Sequence, residues 1–94
     1  MAPSAIEIQL QAEKASALRR VGGILEQLLA ELGSVERSAG GLTGRSRAQA
    51  VAEHARLRAE AEKHRWYLIV QREAIGLFNH ADVYQHYPLP PPLR

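Results

Sequence analysis

Residues 46–80 have the sequence SRAQAVAEHARLRAEAEKHRWYLIVQREAIGLFNH, and this stretch decides the fold. It contains no proline and a single glycine, Gly76, and its commonest residues are alanine, arginine and glutamate. All three favour helix over strand. Ser46 and Gln49 have the spacing of a capping box at the first turn. The stretch therefore predicts one long helix over residues 46–80.

This helix carries two apolar stripes, which lie well over 90° apart when each residue turns about 100° around the axis. The first stripe comprises Ala48, Val51, Ala55, Ala59, Trp66, Ile69, Val70 and Leu77, and the second comprises Ala50, Leu57, Ala61, Leu68 and Ile75. One stripe suits a helix of the same chain. The other predicts a contact with a second molecule.

A first helix is predicted over residues 4–32. Ser4 and Glu7 have the capping-box spacing, and an apolar stripe at helical intervals runs from Ile6 to Leu32. Gly33 follows where a helix commonly ends in a left-handed residue. Gly22 and Gly23 fall inside this helix, and they indicate either a kink or a close contact with another segment, of which we prefer the kink.

Residues 33–45 are rich in glycine and predict a flexible connector. Two amphipathic helices joined in this way fold back antiparallel to hide their apolar stripes. The expected fold is all-α: a helical hairpin, dimerising into a four-helix bundle with coiled-coil packing. In an antiparallel hairpin that turns within residues 33–45, Lys14 and Glu62 lie near each other, and we expect them to form an ion pair.

The chain has 94 residues, no cysteine and a formal charge of +2. This length allows one domain with a modest core, so that a partner would add stability. The longest apolar run, Trp66–Val70, is far too short to span a bilayer. The residues after Met1 lack the pattern of a secretory signal. We expect a cytoplasmic protein.

The second stripe is the predicted protein interface, formed by Leu57, Ala61, Leu68 and Ile75 with the neighbouring Trp66 and Tyr67. The alternative is that other parts of the same chain cover it. The interface predicts a non-catalytic interaction module, such as an adaptor, a scaffold or a small subunit, whose partner is a second copy or another protein.

A basic stripe lies between the two apolar stripes. It comprises Arg47, His54, Arg58, Arg65 and Arg72, which project within about 40° of one another. Such a stripe suits phosphates of nucleic acid or lipid headgroups, and it gives the alternative function, a nucleic-acid or membrane-surface binder. Nearby glutamates dilute its charge, so a solvated flank is the simpler interpretation.

No catalytic, cofactor or metal site is predicted. Glu60 and His64 have the spacing of two ligands on one helical face, but no second pair matches them. Asp82 is the only aspartate, and the serines lie in the predicted caps and connector, which leaves no triad. We therefore expect no enzyme activity, no cofactor and no small-molecule substrate.

Residues 81–94 predict an extended proline-rich tail, because prolines cannot continue a helix. Three roles stay open: docking on the chain's own helices, disorder, or binding in a partner's groove through the spacing of Pro88 and Pro91. The residues that would carry these contacts are Tyr84, Tyr87, Pro88, Pro90, Pro91 and Pro92.

Overall fold

The computed structural model describes residues 2–94, which form three helices and no strand: α1 (Ala5–Ala39), α2 (Gly44–Ala74) and α3 (Ala81–His86). The two long helices pack against each other, joined by four residues. The predicted all-helical class and helical hairpin are therefore confirmed.

Helix α1 begins as predicted and ends later. The Glu7 amide donates to Ser4 Oγ at 3.1 Å, and the Ser4 amide donates to Glu7 Oε2 at 3.2 Å, which is a complete capping box. The predicted end at residue 32 is wrong, since the helix continues through Gly33 to Ala39. Val35 packs on the core and Ala39 is buried, so packing outweighs the propensity cost of one glycine, about 1 kcal/mol.

The glycine pair in α1 marks a close contact. Helix α1 is continuous through Gly22 and Gly23. Gly22 is buried, and a Cβ atom there would lie 3.1 Å from the hydroxyl of Tyr87, whereas a Cβ on Gly23 would meet nothing within 4 Å. Of the two interpretations, the structure favours the close contact at Gly22 over the preferred kink.

The connector is much shorter than predicted. It comprises residues 40–43, so the expected range 33–45 is wrong. The Leu42 amide donates to the Ala39 carbonyl at 3.1 Å to close the turn. Thr43, rather than Ser46, is the N-cap of α2, and it makes no side-chain capping bond. The predicted capping box at Ser46 therefore lies inside the helix.

Helix α2 ends at Ala74, six residues before the predicted end at residue 80. The Leu77 amide donates to the Arg72 carbonyl at 2.9 Å, and the Gly76 amide donates to the Glu73 carbonyl at 3.0 Å. These two bonds form a Schellman motif, which requires a left-handed residue at Gly76, with φ +90°. Gly76 therefore turns the chain back toward the hairpin.

The helix register differs from the predicted one. Lys14 lines a surface groove with Ala74 and Ile75 at the end of α2. The ion pair between Lys14 and Glu62 is absent from the salt bridges of residues 2–94. The turn lies at residues 40–43 and not at 33–45, which shifts every α2 residue along α1. The predicted ion pair is therefore wrong, because its two residues do not face each other.

The core is thin and the molecule is long. Its extents are 65 × 21 × 15 Å and its radius of gyration is 17.5 Å, against roughly 12 Å for a compact domain of this length. The fully buried side chains of greatest volume are Leu25, Leu32 and His54. The rest of the buried core comprises Val21, Ala39, Leu57, Ala61, Leu68 and Val83. A single layer of side chains between two helices therefore holds the hairpin together.

Residues 81–94, which we call the C-terminal segment, fold back along the hairpin. Their predicted extended conformation is wrong for residues 81–86, which form α3. The Ala81 amide donates to the Asn79 side chain at 3.1 Å, and Val83 is buried against the core. From Pro88 onward the segment is neither helix nor strand, as four prolines require.

Candidate interaction surfaces

The predicted interface stripe is mostly the inside of the hairpin. Leu57, Ala61 and Leu68 are buried in the core that α1 and α2 share. These three residues offer no surface to a second protein in this conformation, so their assignment to an interface is corrected. The alternative, that the chain itself covers this stripe, is the one the structure shows.

The remaining predicted interface residues are exposed. Trp66 is 61% exposed, and Tyr67 and Ile75 are 38% exposed each. Trp66 belongs to the first stripe, which was expected to face α1. Because Leu68 faces α1, Trp66 two residues earlier points away from it. Most of the second stripe therefore faces α1, and the apolar surface left over is the one around Trp66.

Exposed apolar side chains concentrate in the half of the hairpin away from the connector, which we call the open half and define as residues 2–22 and 63–86. Of the twelve exposed large apolar residues among residues 2–94, ten lie there. They are Ile6, Ile8, Leu10, Trp66, Tyr67, Val70, Ile75, Leu77, Phe78 and Tyr84. The exposed apolar side chains are thus concentrated toward one end of the hairpin, although Val21, Leu68 and Val83 of the core also lie in this half.

The first turns of α1 extend beyond the end of α2. Gln11, Lys14 and Ala15 line one surface groove with Ala74 and Ile75, so only α1 residues 5–10 extend past the last turn of α2, by about 9 Å. Every residue from 2 to 14 is exposed, with Ile6 at 71% and Leu10 at 48%. The overhang therefore presents apolar side chains that the chain itself does not cover.

The other exposed edge of α2 is charged. Arg56 and Glu53 pair at 2.6 Å, and Lys63 and Glu60 pair at 3.0 Å, all on the surface. Hydrogen bonds from the basic partners lower the pKa of the Glu53 and Glu60 carboxyls below its ordinary value. This edge is solvated and internally paired, which leaves the open half as the apolar surface.

The arginines of the predicted basic stripe hold the C-terminal segment. Arg58 donates to the Pro90 carbonyl at 2.7 Å, and Arg65 donates to the Tyr87 carbonyl at 3.2 Å. Arg72 donates to the Asn79 carbonyl at 3.0 Å and pairs with Asp82 at 3.1 Å. Arg47 donates to the carbonyls of Ala39, at 2.8 Å, and of Arg94. These donors are used by the chain itself.

His54, the fifth member of the basic stripe, lies inside the core. Its side chain is fully buried, and its Nε2 lies 2.9 Å from Glu36 Oε1 across the two helices. Its Nδ1 is buried without a hydrogen-bond partner. His54 therefore joins α1 to α2 and is not available to a phosphate.

The predicted tail residues divide into buried and exposed ones. Tyr87 is partly buried against Gly22 and the core, and Leu89 also packs there. Tyr84 is exposed, and its ring lies beneath the Arg65 guanidinium at 4.7 Å. Pro90 is partly buried, and the remaining prolines are exposed: Pro88, Pro91 and Pro92.

The burial of Tyr87 predicts a measurable titration. Burial raises the pKa of the Tyr87 phenol above its ordinary value of 10.0, and the nearby Glu26 carboxylate adds to this shift. The unfolded chain ionises first as the pH rises, so the stability that Tyr87 contributes is complete below pH 10.0 and is lost as the pH rises through the higher folded pKa. Phenolate absorbance against pH should show this late component, and Tyr87→Phe should remove it. If the late component persists in that variant and the component lost is an ordinary one near pH 10.0, the docked position of Tyr87 is contradicted.

The histidine and carboxylate pairs form no metal centre. His64 and Glu60 come within 3.9 Å, as do His80 and Glu73, but no group of three or more possible ligands occurs among residues 2–94. Within the same residues, each helix is too short or too polar to cross a bilayer.

No protein-family model, no curated protein and no solved structure matches this chain. Function must therefore be argued from the surfaces of the hairpin alone.

Sequence reasoning missed two features of these surfaces. One is the position on α1 where Gly22 lets Tyr87 approach closely, which we call the notch. The glycine itself was the available signal for it. The other is the partnership between the arginines and the main-chain carbonyls of the C-terminal segment. Every residue has a carbonyl, so the sequence carries no mark of which ones a distant arginine will bind.

Proposed function

We propose that this protein is a non-catalytic protein-interaction module that associates with a second copy of itself through the open half of the hairpin. The single observation that carries this proposal is the concentration of exposed apolar residues in that half, beside a helix overhang with no packing of its own. Such a concentration of exposed apolar side chains is typical of an interaction site.

The exposed area supports a partner. The chain exposes 6608 Å², about 1,200 Å² more than a compact monomer of this mass is expected to expose. A standard interface buries about 800 Å² on each partner. The surplus is therefore large enough to supply one.

The shape of the overhang favours a second copy as the partner. Ile6 and Leu10 need an apolar surface, and Trp66 and Phe78 provide one, but Trp66 points away from α1 of its own chain. A twofold axis would place the overhang of each copy on the Trp66 side of the other. The overhang of each copy then contacts the Trp66 side of the other copy once, which is the pattern of an isologous dimer.

This dimer differs from the one that the sequence predicts, because Leu57 and Leu68 do not take part. An adaptor, a scaffold or a small subunit remains the expected type of protein, and the cytoplasm remains its expected location. The alternative, a nucleic-acid or membrane-surface binder, has less support, since Arg58, Arg65 and Arg72 already bind the C-terminal segment.

Mass in solution tests the proposal. Sedimentation equilibrium of the wild-type chain should give twice the chain mass of 10.4 kDa. Phe78→Asp places a charge on a side chain that is 70% exposed in the open half, and it should weaken association at least about tenfold, because a charge buried in the contact is costly.

Leu42→Asp is the matched control, since Leu42 is an exposed apolar residue at the connector. It should leave the mass unchanged. A monomeric wild-type chain would refute self-association, and equal effects of the two variants would refute the assignment of the contact to the open half.

A further inference from the structure

The arginines of α2 follow the C-terminal segment with a regular spacing. Arg58 and Arg65 are seven residues apart, which is about 10.5 Å along a helix. Their acceptors, the carbonyls of Pro90 and Tyr87, are three residues apart, which is about 9.3 Å in an extended proline-type chain. Seven residues of α2 therefore span nearly the same length as three residues of an extended chain that runs in the opposite direction.

The chemistry of the donors suits the chemistry of the segment. A proline has no N–H group, so the carbonyl is the only main-chain polar group it offers. Arginine carries five N–H donors and no acceptor, and it satisfies carbonyls without needing a donor in return. The arginines of α2 thus present donors to residues 87–94, in which four of the eight residues are prolines without an N–H group.

A notch in α1 fixes the position of the segment. Tyr87 lies over Gly22, where a Cβ atom would come within 3.1 Å of its hydroxyl. Leu89 follows and packs against the core near Leu29, Leu32 and Gly33. The residues docked here are therefore a tyrosine, a proline and an apolar residue in succession, Tyr87, Pro88 and Leu89.

We propose that this groove is a peptide-binding site for extended, proline-containing segments, and that the C-terminal segment is its resident and exchangeable ligand. Val83 is the only buried side chain of the segment, and the turn that precedes it, residues 77–79, is exposed. Three of the remaining contacts join arginine side chains, those of Arg47, Arg58 and Arg65, to main-chain carbonyls. A segment of the same chemistry supplied from outside the chain meets the same donors and the same notch.

The tether sets the conditions for exchange. A short flexible tether holds a ligand at an effective concentration in the mM range, so a free peptide competes poorly with the docked segment. Tyr87→Ala removes the ring from the notch and leaves α1 and α2 unaltered. In this variant the groove is expected to accept a free peptide.

Fluorescence anisotropy with a labelled synthetic peptide of residues 79–94 tests the proposal on full-length chains. The peptide should bind the Tyr87→Ala chain at least about tenfold more tightly than the wild-type chain. A peptide that itself carries Tyr87→Ala should lose that advantage. Equal affinity for the two chains, or no binding to either, would overturn the proposal.

A pair of adjacent glycines supplies the control in the groove. In the Tyr87→Ala background, Gly22→Val fills the notch and should abolish peptide binding. Gly23→Val adds the same atoms where a Cβ meets nothing within 4 Å, and it should leave binding intact. Equal effects of the two substitutions would contradict recognition through the notch.

A second variant that weakens the docking of the C-terminal segment is available if the first one does not fold. If circular dichroism shows that the Tyr87→Ala chain is unfolded, Leu89→Ala takes its place, because Leu89 also belongs to the segment. Peptide binding reports on the contact between Tyr87 and Gly22, and mass reports on the contact through Phe78, so either proposal can fail while the other stands.

Discussion

Leu68→Asp is expected to unfold the chain. Leu68 is 6% exposed and packs in the core with Leu57 and Ala61. A carboxylate without a partner costs several kcal/mol to bury, and a domain of this length has a total stability of only about 5–14 kcal/mol. We expect a loss of about 4 kcal/mol or more, seen as lost helical signal in circular dichroism and a broad, low unfolding transition.

Val70→Asp is the matched control for this prediction. Val70 lies two residues further along the same helix and is 42% exposed, so the same change of charge stays in water. The helical signal of this variant should equal that of the wild-type chain, and only its association should change. If the two variants melt alike, the orientation of α2 described above is wrong.

That orientation is the part of the fold that the sequence left ambiguous. Both apolar stripes of α2 have helical spacing, and the choice between them depends on what else must be satisfied. Turning Leu57 and Leu68 toward α1 also brings Arg58 and Arg65 to the edge of the groove, where they reach the C-terminal segment. The choice between the two stripes therefore depends on contacts with the other elements of the fold. The periodicity within one helix carries no information about those contacts.

The helix ends were predictable to different degrees. The capping box at Ser4 and Glu7 is local chemistry, and the sequence located it correctly. Gly76 was an equally local stop signal for α2, but the predicted helix ran past it. Gly33 gave the opposite error, because the apolar spacing continues from Leu32 to Val35 and Ala39, and burial of that stripe maintains the helix.

One error in the position of the turn explains the errors in long-range pairing. In an antiparallel hairpin the turn sets which residues face each other, so a displaced connector moves every pair. Lys14 thus lies beside Ala74 and Ile75, far along α2 from Glu62. The hydrogen bond between His54 and Glu36 follows from the actual turn, and it lay beyond the reach of a prediction that placed Glu36 in a connector.

Leu25→Ala is the second substitution with a large expected effect. Leu25 is fully buried in a core that is one layer thick. Truncating a buried leucine costs about 2–5 kcal/mol, because contacts are lost and the cavity refills only in part. For a domain of this size the thermal midpoint should fall by about 10 °C or more. Ile24→Ala, at the adjacent and 40% exposed position, should shift it far less.

The Leu25→Ala chain also connects stability to association. A partner that binds only the folded chain raises the thermal midpoint with protein concentration. If the open half supports a dimer, the midpoint of the Leu25→Ala chain should rise as concentration increases, and adding Phe78→Asp should remove that rise. A midpoint that is independent of concentration, in a chain shown by mass to be monomeric, would mean that the thin core alone sustains the hairpin.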